Sequence, residues 1–321
     1  MASRMQLLVA FLTGISTHVL YFHHGEHHLH VVRYIQLFLA SWLVGTAILC
    51  TFQVNSTPSG PPSWLLGIIE TSELHLIYLS GVFTSLFTYR LFLNPLNGLP
   101  GPFSARISTL CRSWRVRDGK TFKHLHGLHR QYGPIVRIAP HDVSVTHPEA
   151  VTLIQGHGSR CFKGPNYDLA WPLVSLHSTR DNLQHAQRRR VWSQGFSDKA
   201  VRGYETRIRQ YQDKLVAGLV ETRGHPTNFT QWMKLYSFDI MGDLAFGKSF
   251  SMLDTGQNHP VIDFVYEAVN LLSRMPPIWA FRVGIAIPVL NRTWCQWVNF
   301  ARDSLVSRMK VSVNFYDPSQ G

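Results

Sequence analysis

The sequence predicts a mainly α-helical protein with a small β-hairpin region, set behind up to three transmembrane helices. Three observations predict it. Long uncharged apolar runs crowd the first third of the chain, helical spacing of apolar residues fills nearly all of the last third, and one short alternating segment lies between them.

The apolar runs come first. Met5 to Phe22 carries no formal charge and one histidine, His18, Tyr34 to Phe52 carries no charge, and Leu74 to Leu93 has Arg90 as its one formal charge. Roughly 20 apolar residues cross a bilayer, and an arginine near the end of a span reaches the headgroups along its own aliphatic stem. Residues 1–93 are therefore read as a membrane anchor. A cleaved signal peptide is the competing reading of Met5 to Phe22, against which stand the lack of a basic start beyond Arg4 and of a small-residue cleavage site. Arg90, Arg106, Arg112, Arg115 and Arg117 gather on the C-terminal side of the third span and predict that the rest of the chain faces the cytosol. The loop with Arg33 is then cytosolic, and Asn55 to Glu73 is lumenal. Asn55, in Asn-Ser-Thr, is the expected glycosylation site, whereas Asn228 and Asn291 stand in sequons on the cytosolic side.

A formal net charge of +12 over 321 residues is compatible with nucleic acid or with an anionic membrane surface. Beside three spans the membrane is the expected partner, and no nucleic acid is expected. Cys50, Cys111, Cys161 and Cys295 match no disulfide or metal spacing and fit a reducing compartment. His23, His24, His27, His28 and His30 are read as a solvated interfacial loop, with metal binding as the alternative, and no metal ligand is assigned.

Residues 94–103 contain NPLNGLPGP, whose prolines and glycines cannot continue a helix and predict a stiff hinge. Residues 104–310 follow as the main domain. Phe122 to Tyr132 has helical spacing, Ile135 to Ile138 and Val143 to Val145 form the predicted hairpin, and His147-Pro148 opens a short helix to Ile154. Gly156 to Thr179 reads as a long loop, which inside a compact domain is usually functional. Helices are predicted at Lys199 to Val220, Phe229 to Phe246, Pro260 to Arg274 and Thr293 to Lys310. Met275 to Leu290, with prolines at both ends, reads as an apolar loop touching membrane or covering substrate. Asp239 and Asp243 share a helix face and read as structural.

The most informative segment is His185 to Phe196, HAQRRRVWSQGF. At about 100° per residue, His185, Arg189, Trp192 and Phe196 share one face, with Arg188 on its edge and Asp181 and Gln184 as a capping pair. An ordinary amphipathic helix would place leucine there. Its cations imply an anion to be met, unless this is a basic surface helix whose arginines are solvated or a patch for nucleic acid.

In order along the chain, PLNGLPGP, YGPIVRIAPHDVSVTHPEA, RCFKGPNY, HAQRRRVWSQGFS and YSFDIMGDLAFGKSFSML, behind a membrane anchor, resemble the N-terminal half of a cytochrome P-450 over Leu93 to Lys310. The style is that of fungal microsomal members, which often carry extra spans. The resemblance implies haem as cofactor, with His185 and Arg189 gripping a propionate, Trp192 and Phe196 packed beside them, and Phe162 to His177 and Phe264 to Ile278 bordering a substrate pocket. Trp171, Phe264 and Trp279 are each read as core, with pocket lining as the alternative. It further implies an endoplasmic reticulum membrane location, electrons from NADPH-cytochrome reductase, and oxygenation of a lipophilic small molecule, in fungal secondary metabolism.

The family's cysteine loop, its acidic-threonine pair and a Glu-x-x-Arg are not found in these residues, so no catalytic residue is assigned. The expectation is a truncated, inactive form of such an enzyme; the alternative is a haem-free membrane-anchored binding or regulatory protein. Residues 311–321 read as an atypical tail, whose Val311-Ser312 can be encoded as the splice-donor consensus GTGAGT.

Overall fold

The computed structural model describes residues 2–53, 62–156 and 158–314. Asn55 and the tail beyond Asn314 lie outside the described residues. The chain divides into two compact units: Met1–Leu173 with Leu271–Ala286, and Val174–Asn270 with Ile287–Gly321. Each is described by itself.

The first unit begins with the anchor. Helix α1 (Arg4–Thr17) continues as a π-turn through Phe22, α2 covers Val31–Gln53, and α3 (Ser63–Thr88) continues as a π-turn through Leu93. Three helical stretches, Arg4–Phe22, Val31–Phe52 and Trp64–Leu93, are long and apolar enough to cross a membrane. The third starts well before Leu74. Glu70 and Glu73 lie inside α3, so the helix begins ahead of the apolar run that the sequence marks from Leu74. Glutamate is a good helix former, so charge marks where a span leaves hydrocarbon and not where its helix begins.

Small residues let α1 and α3 meet. A Cβ on Gly14 would stand 2.1 Å from the Tyr78 carbonyl oxygen, and one on Gly81 2.2 Å from that of Phe11. Such backbone approach is how helices associate where lipid removes any hydrophobic drive. His18 Nδ1 adds a 2.8 Å hydrogen bond with Ser85 Oγ across the same pair.

The proline segment is clasped rather than free. Pro95–Gly98 forms a 3₁₀ turn, followed by α4 (Phe103–Ile107), α5 (Thr109–Arg115) and α6 (Thr121–Tyr132). Strands β1 (Ile135–Arg137) and β2 (Val143–Val145) pair antiparallel, Val136 opposite Ser144. Arg137, 1% exposed, donates from Nη1 to Asn97 Oδ1 at 2.6 Å and from Nη2 to the Pro140 oxygen at 2.9 Å. Its backbone N–H bonds the Pro100 oxygen at 2.8 Å. Arg112 reaches Asp142 Oδ2 at 2.5 Å, and Arg90 the Ile107 oxygen at 2.8 Å. Several of the arginines that predicted orientation thus also hold the domain's first elements together. Leu128, Val136 and Ile138 form a small core here. Helix α7 (Glu149–Gln155) follows, and a 3₁₀ turn at Pro165–Asp168 lies in the predicted loop.

The second unit is helical. It holds α8 (Asn182–Gln194), α9 (Asp198–Glu221), α10 (Phe229–Met241) with a π-turn to Phe246, α11 (Met252–Thr255), most of α12 (Pro260–Ser273), and α14 (Arg292–Asn314). Its core is Tyr211, Leu235, Met252, Leu253 and Ile262, packed against Leu215, Trp232 and Phe300. Fully burying such a side chain stabilises by roughly 1.5–3 kcal/mol. The two aspartates read as structural are so. Asp239 Oδ1 accepts from Ser249 Oγ at 2.9 Å and Met252 N at 3.1 Å, and Oδ2 from Leu253 N at 2.8 Å. Asp243 takes a two-pronged bond from Arg207, at 2.6 and 3.1 Å.

Residues 275–290, expected as loop, contain helix α13 (Ile278–Ala286), which belongs to the first unit. Pro276 and Pro277 stand before its first turn, where no N–H is needed, and Pro288 stands after its last. The prolines bound a helix instead of breaking one.

Candidate functional site

Helix α8 starts where Asp181 Oδ1 accepts from Leu183 N at 2.8 Å and Gln184 N at 3.0 Å. A carboxylate there satisfies two otherwise orphaned donors. The helix stops at Gly195, whose carbonyl accepts from Tyr204 Oη of α9 at 3.2 Å, and Ser197 caps α9. Phe196 therefore lies in the tight corner between two helices. Its ring stacks on that of Trp192, centroids 6.3 Å apart and planes 21° apart. Both are exposed, at 68% and 59%.

The three arginines divide their work. Arg188 Nη1 donates to the Val174 oxygen at 2.6 Å and to Thr179 Oγ1 at 3.3 Å, tying the approaching loop to α8. Sequence reasoning left Arg188 at the edge of the face and missed this role, which periodicity does not signal. Arg189 is exposed and His185 half-buried. Among the described residues neither has a side-chain hydrogen bond or ion pair. The helical phase thus brings together His185, Arg189, Trp192 and Phe196 as expected: two available donors one turn apart, continuous with a stacked aromatic surface. That donor set fits a carboxylate carried on a flat apolar ring system, since arginine's fork matches a carboxylate and charge-assisted bonds are the strong ones.

The other expected positions are less concentrated. Trp171 is 47% and Trp279 43% exposed, so neither is the core residue expected, and Phe264 is half-buried. Arg282 Nη1 holds the Trp171 oxygen at 2.5 Å, both in the first unit. The four cysteines are free thiols: Cys161 and Cys295 exposed, Cys50 and Cys111 partly buried. A cavity of about 1400 Å³ is lined by anchor residues such as Val9, Phe38, Leu74 and Val82. Within a bilayer such an apolar cleft is volume for lipid, and none of the site residues lines it.

An α-helical domain behind apolar spans, with a short hairpin and a cationic aromatic helix, matches the profile of one family, Cytochrome P450, over residues 100–311. The chain belongs to that family. It is 41% identical to cytochrome P450 monooxygenase notG' of Aspergillus versicolor, over 98% of this chain and 56% of the relative. It is 42% identical to tryprostatin B 6-hydroxylase of Aspergillus fumigatus, over 97% of this chain and 56% of that protein. A second tryprostatin B 6-hydroxylase, from Neosartorya fischeri, is 41% identical over 97% of this chain and 57% of its own length. The chain spans a little over half the length of these curated relatives, and the similarity runs through the anchor as well as the domain. No solved structure matches it.

Proposed function

We propose that this chain is the membrane-anchored, propionate-binding portion of a haem-dependent monooxygenase that oxidises a lipophilic small molecule in fungal secondary metabolism. The observation that carries the reading is the open face of α8, where His185 and Arg189 stand free beside the exposed stack of Trp192 and Phe196. His185 and Arg189 would hold a haem propionate, with Trp192 and Phe196 offering it an apolar surface. Arg188 ties the preceding loop to α8 through Val174 and Thr179. When bound, haem supplies the oxygen activation on which the family's chemistry depends.

The relatives that hydroxylate tryprostatin B support hydroxylation of a small organic substrate. The three apolar stretches support anchoring, with the endoplasmic reticulum as the membrane, the domain in the cytosol and NADPH-cytochrome reductase as electron donor. No residue of this chain is assigned to the axial thiolate. The 321 residues by themselves are expected to bind haem weakly and to turn nothing over.

The test is haem titration of the full chain in nanodiscs, read by quenching of tryptophan fluorescence. A hydrogen bond to a charged group is worth about 1.5–3 kcal/mol, so Arg189→Ala should weaken binding roughly 10-fold or more, and His185→Ala should weaken it too, while Arg190→Ala on the opposite face leaves it unchanged. Equal affinity for all three variants and the parent would overturn the assignment of His185 and Arg189, and no quenching in any of them would leave a haem-free binding protein.

A further inference from the structure

We propose that Glu26, His28 and Asp168 bind a divalent transition-metal cation, zinc by their donor set, which joins the first inter-helix loop to the loop ahead of α8. One imidazole nitrogen and two carboxylate oxygens lie within 4.8 Å of one another. His28 Nε2 and Asp168 Oδ2 are 2.9 Å apart, with side chains 12% and 11% exposed. Glu26 approaches from the exposed side. Zinc bonds to nitrogen and oxygen of about 2.0–2.2 Å hold tetrahedral donors roughly 3.3–3.6 Å apart. Opening the His28–Asp168 pair by a few tenths of an ångström and drawing in Glu26 meets that spacing, and the exposed side leaves a position for water. Mixed imidazole and carboxylate donors suit zinc better than magnesium or calcium, which take oxygen alone.

Two independent features place these residues together. His28 follows one span and Asp168 follows three, so both stand on the same side of the bilayer whichever way the anchor inserts. Asp168 ends the 3₁₀ turn Pro165–Asp168, and α13 packs against both that turn and α2. Contacts of α13 with the turn that carries Asp168 and with α2, whose start follows the His28 loop, thus hold the two loops near each other. The sequence alone could not show the site, because His28 and Asp168 are 140 positions apart.

The experiment uses the full chain in nanodiscs, prepared without a histidine tag, stripped with chelator and titrated with zinc. About one zinc per chain should survive gel filtration, measured by elemental mass spectrometry. His28→Ala and Asp168→Asn should each weaken binding by at least the ~10-fold that an outer-shell partner is worth, and Asp168→His, which keeps a ligand there, should retain the metal. Three results would overturn the proposal. The parent may retain no zinc, leaving a His28–Asp168 hydrogen bond only. Asp168→Asn may bind as well as the parent, leaving the loop histidines His23, His24, His27 and His30 as the holders. Asp168→His may lose zinc along with Asp168→Asn, which makes Asp168 a fold contact and not a ligand.

Discussion

Asp239 shows what a single buried carboxylate does in a helical unit. It is 1% exposed, and two of its three donors are the backbone N–H groups of Met252 and Leu253, at the start of α11. Asp239→Ala leaves those donors buried without partners and should destabilise the unit on the order of 2–3 kcal/mol, read by chemical unfolding of the detergent-solubilised chain. Arg207→Ala should do less, because Arg207 is 39% exposed and water replaces part of what Asp243 supplies. A second residue gives a pH dependence. Burial lowers the pKa of His124 below its ordinary value, reinforced by Arg115 and opposed by Asp118. The unfolded chain then binds the proton more readily than the folded one, so stability is full above about pH 6.5 and falls as pH drops through that value. In His124→Gln the loss of stability between about pH 7 and 5 should be smaller than in the parent. An unchanged slope would show that His124 does not contribute. At this scale the sequence was readable where spacing carries the information: the phase of His185, Arg189, Trp192 and Phe196 needs only a helix. It was silent on Arg188 and Asp168, whose partners are set by tertiary approach.

At the scale of elements, the α1–α3 pair rests on Gly14 and Gly81. A side chain at either position meets backbone, which cannot swing aside as a side-chain tip can. Gly14→Leu should separate the two helices, seen as loss of a disulfide engineered between their neighbouring ends, while Gly25→Ala in the open loop leaves pairing intact. The long spans were legible in the sequence because a bilayer demands length and hydrophobicity together. The hairpin was legible from alternation, although its register, with Ile135 opposite Val145, was not specified by it. Two boundaries were not. The start of α3 was hidden by Glu70 and Glu73, and α13 by prolines that bound it. In both cases a residue that stops hydrophobicity or hydrogen bonding was read as one that stops a helix.

For the whole molecule, the proposed topology predicts where glycans can go. With the domain in the cytosol, Asn228 and Asn291 never meet the glycosylation machinery, and Asn55 is the only sequon that does. Expression in microsomes followed by glycosidase digestion checks it: a mass shift should vanish in Asn55→Gln and persist in Asn228→Gln and Asn291→Gln. A shift that depends on Asn228 or Asn291 would invert the anchor. Asn228 is also occupied at home, since its Oδ1 caps α10 by accepting from Gln231 N at 3.1 Å. A separate prediction concerns chemistry: reduced and treated with carbon monoxide, these 321 residues should give no thiolate-type Soret band, and added reductase should yield no product.

The clasp around Arg137 governs where this protein can be cut. A proline-rich linker looks like the natural place to trim a membrane enzyme into a soluble one, and a cut anywhere within it looks equivalent. It is not, because Asn97 and the Pro100 carbonyl satisfy one arm of the Arg137 guanidinium and its N–H, both buried inside the domain. Trimming to Asn94 leaves those partners in place. Trimming to Phe103 leaves one arm of the Arg137 guanidinium and its backbone N–H without acceptors, though Ala139 and Pro140 still hold the rest, and a donor deprived of its acceptor costs about 1–3 kcal/mol. The shorter protein should precipitate where the longer one stays in solution, although the residues removed between the two cuts are all linker.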